Sequence, residues 1–262
     1  MLEIRETKGD LNAVEQAARE LAQGRVDLLY TIAGSVTQRA VRATSDVPIV
    51  FAVGSDPVAL GLVQSLNRPS TRLTSIHFLL TDLTSKRLQL LKEIVPNARR
   101  VVTFYDPTNK GATEAARLAR EAAASLGMTV IERHVGSVED LQRGVQALKP
   151  REVDAYFFTS DAMVASQAQF IIDSARTKRL PTMFHEQSIV TEGGLASYGL
   201  SFREVGRMSA RYVVLLMGGA RPQDLPVERV DRLELTINLK TARALGLVLP
   251  PSVLLRADHV IE

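Results

Sequence analysis

Polar side chains recur in this sequence at one kind of place, directly after short apolar runs. Thr31 and Ser35 follow the run at 26–32, and Ser55 and Asp56 follow 49–53. Further along, Tyr105 and Asp106 end the run at 100–105, and Thr159, Ser160 and Asp161 follow 153–158. His185 and Glu186 follow 182–184, and Tyr198 and Ser201 close the series. In a parallel sheet these positions share the carboxyl edge, where open α/β folds receive their ligands. Gly34 and Ser35, at a helix start, offer backbone donors, a hydroxyl and the positive end of a helix dipole, a set suited to a carboxylate. Asp161 supplies a carboxylate that suits an ammonium, and Glu186 stands with it on the same wall. Phe78, Tyr105 and Tyr198 supply rings for an apolar or aromatic ligand body. Ser, Thr and Asp after strands also cap helices; Asp161 reads as an N-cap and Asp56-Pro57 as a turn former with a new helical start.

The inventory binds a small molecule without transforming it. The sequence contains no phosphate-binding G-x-x-x-x-G-K loop, no G-x-G-x-x-G after a strand, no H-E-x-x-H and no G-x-S-x-G. His77, His134, His185 and His259 are too widely spaced to pair as metal ligands, so no metal and no cofactor are expected. His185 and Glu186 are neighbours on a strand and point to opposite sides, which argues against joint acid–base work. An enzyme is therefore not expected.

The elements that must position these residues alternate. Strands are predicted at 2–6, 26–32, 49–53 and 73–78, with helices after Asp10 and Gly34 between them. A helix over 83–95 leads to a second run: strand 100–105, helix 111–126, strand 128–133, helix 138–148, strand 153–158, helix 161–176, and short strands at 182–184 and 195–198. An amphipathic helix over 204–217, a strand over 233–239, a short helix over 241–245 and an apolar segment over 253–261 complete the chain. Regular strand–helix alternation predicts parallel sheets covered on both faces, and two such runs predict two α/β lobes with a ligand cleft between them.

Composition sets the outer bounds. With 262 residues, 45% apolar and 23% charged, the chain can bury a substantial core and reads as globular. A net charge of +3, with basic clusters only at helix ends and 5% aromatics, gives no basic face for nucleic acid. Cysteine is absent, which excludes disulfides and a thiol nucleophile. The first ten residues carry neither a basic nor an apolar signal region, and no apolar run approaches the ~20 residues a membrane span needs.

Five segments carry a family resemblance: PIVFAVGSDPVALGLVQSL (48–66), KRLQLLKEIVPNARRVVTFYDPTN (86–109), DAYFFTSDAMV (154–164), GGLASYG (193–199) and INLKTARALGLVLPPSVLLRADHVIE (237–262). In order and over nearly the whole chain, they resemble the substrate-binding proteins of ABC transporters, in the group with tryptophan/tyrosine-type binding components. The resemblance implies a type I periplasmic-binding-protein fold, two doubly wound parallel-sheet lobes joined by three crossings: 1–78 plus 202–227, and 79–201 plus 228–262. It implies a ligand held in the interlobe cleft by hinge closure, an ABC permease as partner, and a periplasmic or membrane-anchored extracytoplasmic location. Family members usually carry an export signal and one more βα unit before the segment beginning at Leu2. By that resemblance the first lobe is expected to lack its first βα unit, leaving a depleted sheet or a gap filled by another chain. The rival readings are the effector-sensing domain of a transcription regulator, which should follow a helix-turn-helix, and an α/β enzyme.

Overall fold

The computed structural model describes residues 2–78 and 81–262. In chain order these form α1 (Leu11–Gln23), β1 (Leu29–Ile32), α2 (Gly34–Ala43), β2 (Ile49–Val53), β3 (Leu73–His77), α3 (Thr84–Ile94), β4 (Arg100–Tyr105), α4 (Lys110–Ser125), β5 (Thr129–His134), α5 (Val138–Gln146), β6 (Ala155–Phe157), α6 (Ala162–Ser166) and α7 (Ala168–Thr177). There follow β7 (Thr182–Phe184), α8 (Gln187–Thr191), β8 (Ala196–Leu200), α9 (Phe202–Met217), β9 (Glu228–Arg229), β10 (Leu233–Asn238), α10 (Leu239–Leu245), α11 (Pro251–Leu254) and β11 (His259–Ile261). The chain divides into two compact units, Met1–Leu79 with Phe202–Asp231 and Leu80–Ser201 with Arg232–Glu262, so it passes between them three times.

The first unit is built on a parallel sheet in the order β1-β2-β3-β9. Its centre is β2, where Ile49, Val50, Phe51, Ala52 and Val53 have no exposed surface. A strand buried on both faces must be apolar throughout, which is why this run lacks the alternation of a half-exposed strand. Asp10 caps α1 by accepting from the Asn12 and Ala13 amides at 2.8 and 3.3 Å. The amphipathic face of α9 buries Val205, Ser209 and Tyr212, and the Tyr212 hydroxyl donates to the Pro226 carbonyl at 2.6 Å.

Three sequence expectations change here. Residues 2–6 form no strand: Leu2 and Ile4 are 85% and 71% exposed, and β1 is the edge of the sheet, with Tyr30 and Ile32 exposed on one face. Alternation alone does not make a strand; it needs a neighbouring ladder to pair with. Pro57 starts no helix, because the segment closes into a turn through the Leu60 amide on the Asp56 carbonyl at 3.0 Å and then reverses at Gly61, φ +70°. Glu228–Arg229, placed beyond the boundary at 227, pairs with β3, so the first unit runs on to Asp231. The Val227 amide on Leu66 and the Val230 amide on His77, at 2.7 and 3.0 Å, hold that short piece in place.

Within β3, Ser75 has φ 142°, and its buried hydroxyl has no hydrogen-bond partner among the described residues. Strain and an unsatisfied hydroxyl each cost about 1–3 kcal/mol, against about 0.5–1 kcal/mol for the freedom of a glycine. Ser75→Gly is therefore expected to stabilise the first unit by about 1 kcal/mol or more. Differential scanning calorimetry would read this as a raised midpoint; an unchanged or lowered midpoint would contradict it.

The second unit has a seven-stranded sheet in the order β11-β10-β8-β7-β6-β4-β5. The run from β8 to β5 is parallel, β10 lies antiparallel to β8, and β11 is parallel to β10. Alternate residues of each strand feed two cores. Val101, Ala155 and Phe157 pack with Leu88, Leu91, Ala119 and Val253 on one face; Val102, Phe104, Tyr156 and Phe158 pack with Leu141, Val164, Ile171 and Ile172 on the other. Both faces are thus covered by helices, as parallel strands require. The helix predicted over 161–176 is broken at Gln167 (φ −105°, ψ 19°) into α6 and α7.

Candidate ligand-binding site

In the first unit the carboxyl edge is shaped by one unusual residue. Ala33, between β1 and α2, has φ 78° and ψ 146°, a conformation side chains rarely adopt, and its amide donates to the Ala52 carbonyl at 2.9 Å. This residue is the N-cap of α2, and no side chain caps the helix from it. The first-turn amides of Gly34, Ser35 and Val36 precede the first i→i−4 bond, that of the Thr37 amide to the Ala33 carbonyl at 3.0 Å. Gly34 and Ser35 are half-buried, so the donors and the dipole end are both shielded and within reach. Thr31 is less free than its sequence position suggested. Its hydroxyl lies 2.9 Å from that of Thr37, which itself donates to the Ala33 carbonyl at 2.8 Å, so Thr31 donates to Thr37.

The neighbouring loops are mainly structural. Asp56 accepts from the Val58 and Ala59 amides at 2.8 and 3.4 Å and so shapes the turn, leaving half-buried Ser55 beside it. Phe78 is buried and meets Phe202 edge to face at 5.9 Å. A hollow of about 760 Å³ lies at the other edge of this unit, where β3 begins, lined by residues such as Arg68, Ser70 and Gln223. It collects none of the carboxyl-edge residues, and Arg72 on its wall is committed to the Val41, Thr44 and Val47 carbonyls around the end of α2.

In the second unit β4, β6, β7 and β8 end at one edge. Asp161, 4% exposed, caps α6 through the Val164 amide at 3.1 Å and also accepts from the Asp106 amide and the Asn109 amide group, at 3.2 and 3.0 Å. It ties the loops after β4 and β6 together, with half-buried Ser160 beside it. Burial raises its pKa, against the lowering effect of those hydrogen bonds. Glu186, half-buried after β7, accepts from the Ser188 hydroxyl at 2.5 Å, and its pKa is also raised by burial. Tyr105 is held beneath α4 against Ala112 and Ala116, with its hydroxyl on Glu132 and on His134 Nε2 at 3.0 Å; burial and the Glu132 contact push its pKa up to about 12. Tyr198 is half-buried in β8 and packs on the core that contains Leu88.

Sequence reasoning missed the burial of two groups at this edge. Arg87 of α3 has no exposed surface, donates to the Phe158 carbonyl at 3.2 Å and lies over the Phe157 ring at 5.4 Å. His185 stacks on Phe158 with ring centroids 4.2 Å apart, and burial followed by the Arg87 charge pushes its pKa down to about 3. His77 of the first unit is also held low, chiefly by burial.

A pH dependence follows. Burial disfavours protonation of both histidines in the fold while unfolded imidazoles protonate near pH ~6.5, so the stability they contribute is full above that value and is lost as pH falls, for His185 down towards about 3. Asp161 and Glu186, raised in the fold, act with the opposite sign at lower pH. Between pH 7.5 and 5.5 the unfolding midpoint of the second unit is expected to fall less steeply in His185→Gln than in the unaltered chain. Parallel slopes would contradict this.

Among the described residues no cluster of three His, Cys, Asp or Glu could hold a metal ion, and no helix is long and apolar enough to cross a membrane. Two α/β units threaded by three crossings, each with polar loops at its carboxyl edge, define a class of two-lobed ligand-binding proteins. The sequence matches the ABC transporter substrate binding protein family over residues 1–261, and the chain belongs to that family. The fold is the type I periplasmic-binding-protein fold. An ABC domain from Streptococcus pneumonia, solved in complex with L-Trp, is 27% identical with a TM-score of 0.84, covering 97% of this chain and 85% of its own. A conserved domain protein from Vibrio cholerae is 31% identical with a TM-score of 0.85, covering 96% and 84%. A tyrosine-binding protein of Clostridioides difficile is 23% identical over 246 residues, 94% of this chain and 70% of that protein.

Proposed function

We propose that this chain is the solute-capturing component of an ABC import system and that its ligand is an amino acid with an aromatic side chain, held between the two units by hinge closure. The observation that carries the reading is the N-terminus of α2, where strained Ala33 presents the Gly34 and Ser35 amides without a side-chain cap, a built receptor for a carboxylate. Glu186 in the second unit provides the countercharge for an α-ammonium, and Ser55 and Ser160 complete the polar contacts. The L-Trp complex of one relative and the tyrosine-binding designation of another support an aromatic body. Ligand contacts to both units exist only in a closed state, so binding shifts the population towards it. The chain performs no catalysis, works outside the cytoplasm and hands its ligand to a membrane permease.

The chain contains no tryptophan, so the emission of bound L-tryptophan can be followed without protein background in the same band. Saturable binding of L-tryptophan or L-tyrosine, with compaction in small-angle scattering, is the expected result. Failure of every standard amino acid and a panel of organic acids to bind would overturn the proposal.

A further inference from the structure

The first turn of α3, in the second unit, carries a buried polar strip that no role yet described uses. Thr81 lies in the turn just before α3, its carbonyl accepting from the Thr84 amide at 3.0 Å, and Thr84 and Arg87, three residues apart in the helix, share one face. They are 8%, 0% and 0% exposed. Among the described residues the buried hydroxyls of Thr81 and Thr84 have no hydrogen-bond partners, and the helix has no side-chain cap at Leu83. Buried hydroxyls are normally satisfied, so two orphans at one uncapped helix start need an explanation. Their place gives one. Because α3 returns directly into β4, its N-terminus lies at the carboxyl edge of the sheet. Arg87 reaches the Phe158 carbonyl just past the end of β6, and Thr84, one turn earlier, stands about 4.5 Å further out.

We infer that Thr84, with Thr81 and Arg87 beside it, is a specificity-determining subsite for a second oxygen-bearing group of the ligand, at the end remote from its α-carboxylate. Two hydroxyls and first-turn amides form a donor-rich set, beside the positive charge of Arg87, that matches an oxygen acceptor and gives nothing to a bare hydrocarbon ring. A phenolic hydroxyl and a side-chain carboxylate both meet this requirement. An analogue without the oxygen leaves the two buried hydroxyls unsatisfied, and sites of that design discriminate strongly. This inference rests on the amino-acid reading above; a phenol refines the aromatic side chain proposed there, and a side-chain carboxylate replaces it.

The test is calorimetric titration of the full chain with L-tyrosine, L-phenylalanine, L-glutamate and L-norvaline, repeated with Thr84→Val and Thr84→Ser. Tighter binding of L-tyrosine than L-phenylalanine by tenfold or more would assign a phenol, and the same margin for L-glutamate over L-norvaline would assign a carboxylate. Thr84→Val should collapse the favoured ratio towards one while leaving the weaker partner's affinity within about twofold, and Thr84→Ser should restore it. Equal affinities in the unaltered chain, or a ratio that survives Thr84→Val, would overturn the subsite while the amino-acid reading stands. No binding of any of the four overturns the subsite, and the wider panel then decides the fate of the parent reading. Circular dichroism melts of each variant separate a loss of fold, which would move both members of a pair together.

Discussion

Replacing Ser35 with aspartate is expected to lower the affinity for an α-amino acid by about 100-fold while leaving the protein as stable or slightly more so. The two effects have opposite signs because they draw on the same feature. A carboxylate in the first turn of α2 satisfies free amides and complements the helix dipole, which stabilises by about 0.3–1 kcal/mol. The same carboxylate occupies and repels the position assigned to the ligand's own, and like charges held close cost several kcal/mol, with each 1.4 kcal/mol worth tenfold. Titration calorimetry and thermal melts on one preparation read both quantities. Undiminished affinity in Ser35→Asp would remove the α2 N-terminus from the site; a joint loss of affinity and stability would point to a packing role for Ser35.

The largest effect on stability is expected from Gly199→Ala. A Cβ at this position of β8 would sit 1.9 Å from the His185 carbonyl oxygen and 2.9 Å from its carbon. Both are backbone atoms of the segment just after β7, so no rotamer change relieves the clash. The cost is expected to reach about 4 kcal/mol or more, the range reserved for substitutions with no local escape. In a two-unit chain this should appear as loss of the second unit's unfolding transition, with that of the first retained. Gly206→Ala in α9 is the matched control: nothing lies within 4 Å of its added Cβ, and alanine improves helix propensity. Two intact transitions in Gly199→Ala would refute the expectation.

These positions differ in how far the sequence discloses them. The run at 49–53 and the turn after it were plain because a strand buried on both faces carries its own signature, and all its residues lie out of solvent. Gly34 and Ser35 were legible as a helix start, yet the positive φ of Ala33 that makes that start special has no sequence mark, since alanine gives no sign of left-handed backbone. Asp161 was read both as a cap and as a charge for an ammonium; its contacts to Val164, Asp106 and Asn109 show the capping role in full. Leu2 and Ile4 misled, because alternation reports that a strand could be half-buried and nothing about whether a neighbour is present. Glu228–Arg229 was invisible for the converse reason: two charged residues have no periodicity, and only the partner strand makes them a strand. Arg87 shows the limit most clearly, since a buried arginine and a solvated one look alike in a list of residues.

The three passages of the chain between units bear on how the protein is made. The first sheet is completed by β9, and the helix over β2 and β3 is α9, so the first unit waits for residues 202–231. The second unit waits still longer, for β10 and β11 near residue 261. Neither can finish folding while the chain is still emerging from its N-terminal end, as a contiguous domain can, and both depend on pairings far apart in sequence. A nascent chain stopped before residue 202 would hold two incomplete sheets, each with apolar strands awaiting cover. Such a polypeptide keeps both units unfinished until the late segments that close them, residues 202–231 for the first and 233–261 for the second, have been made.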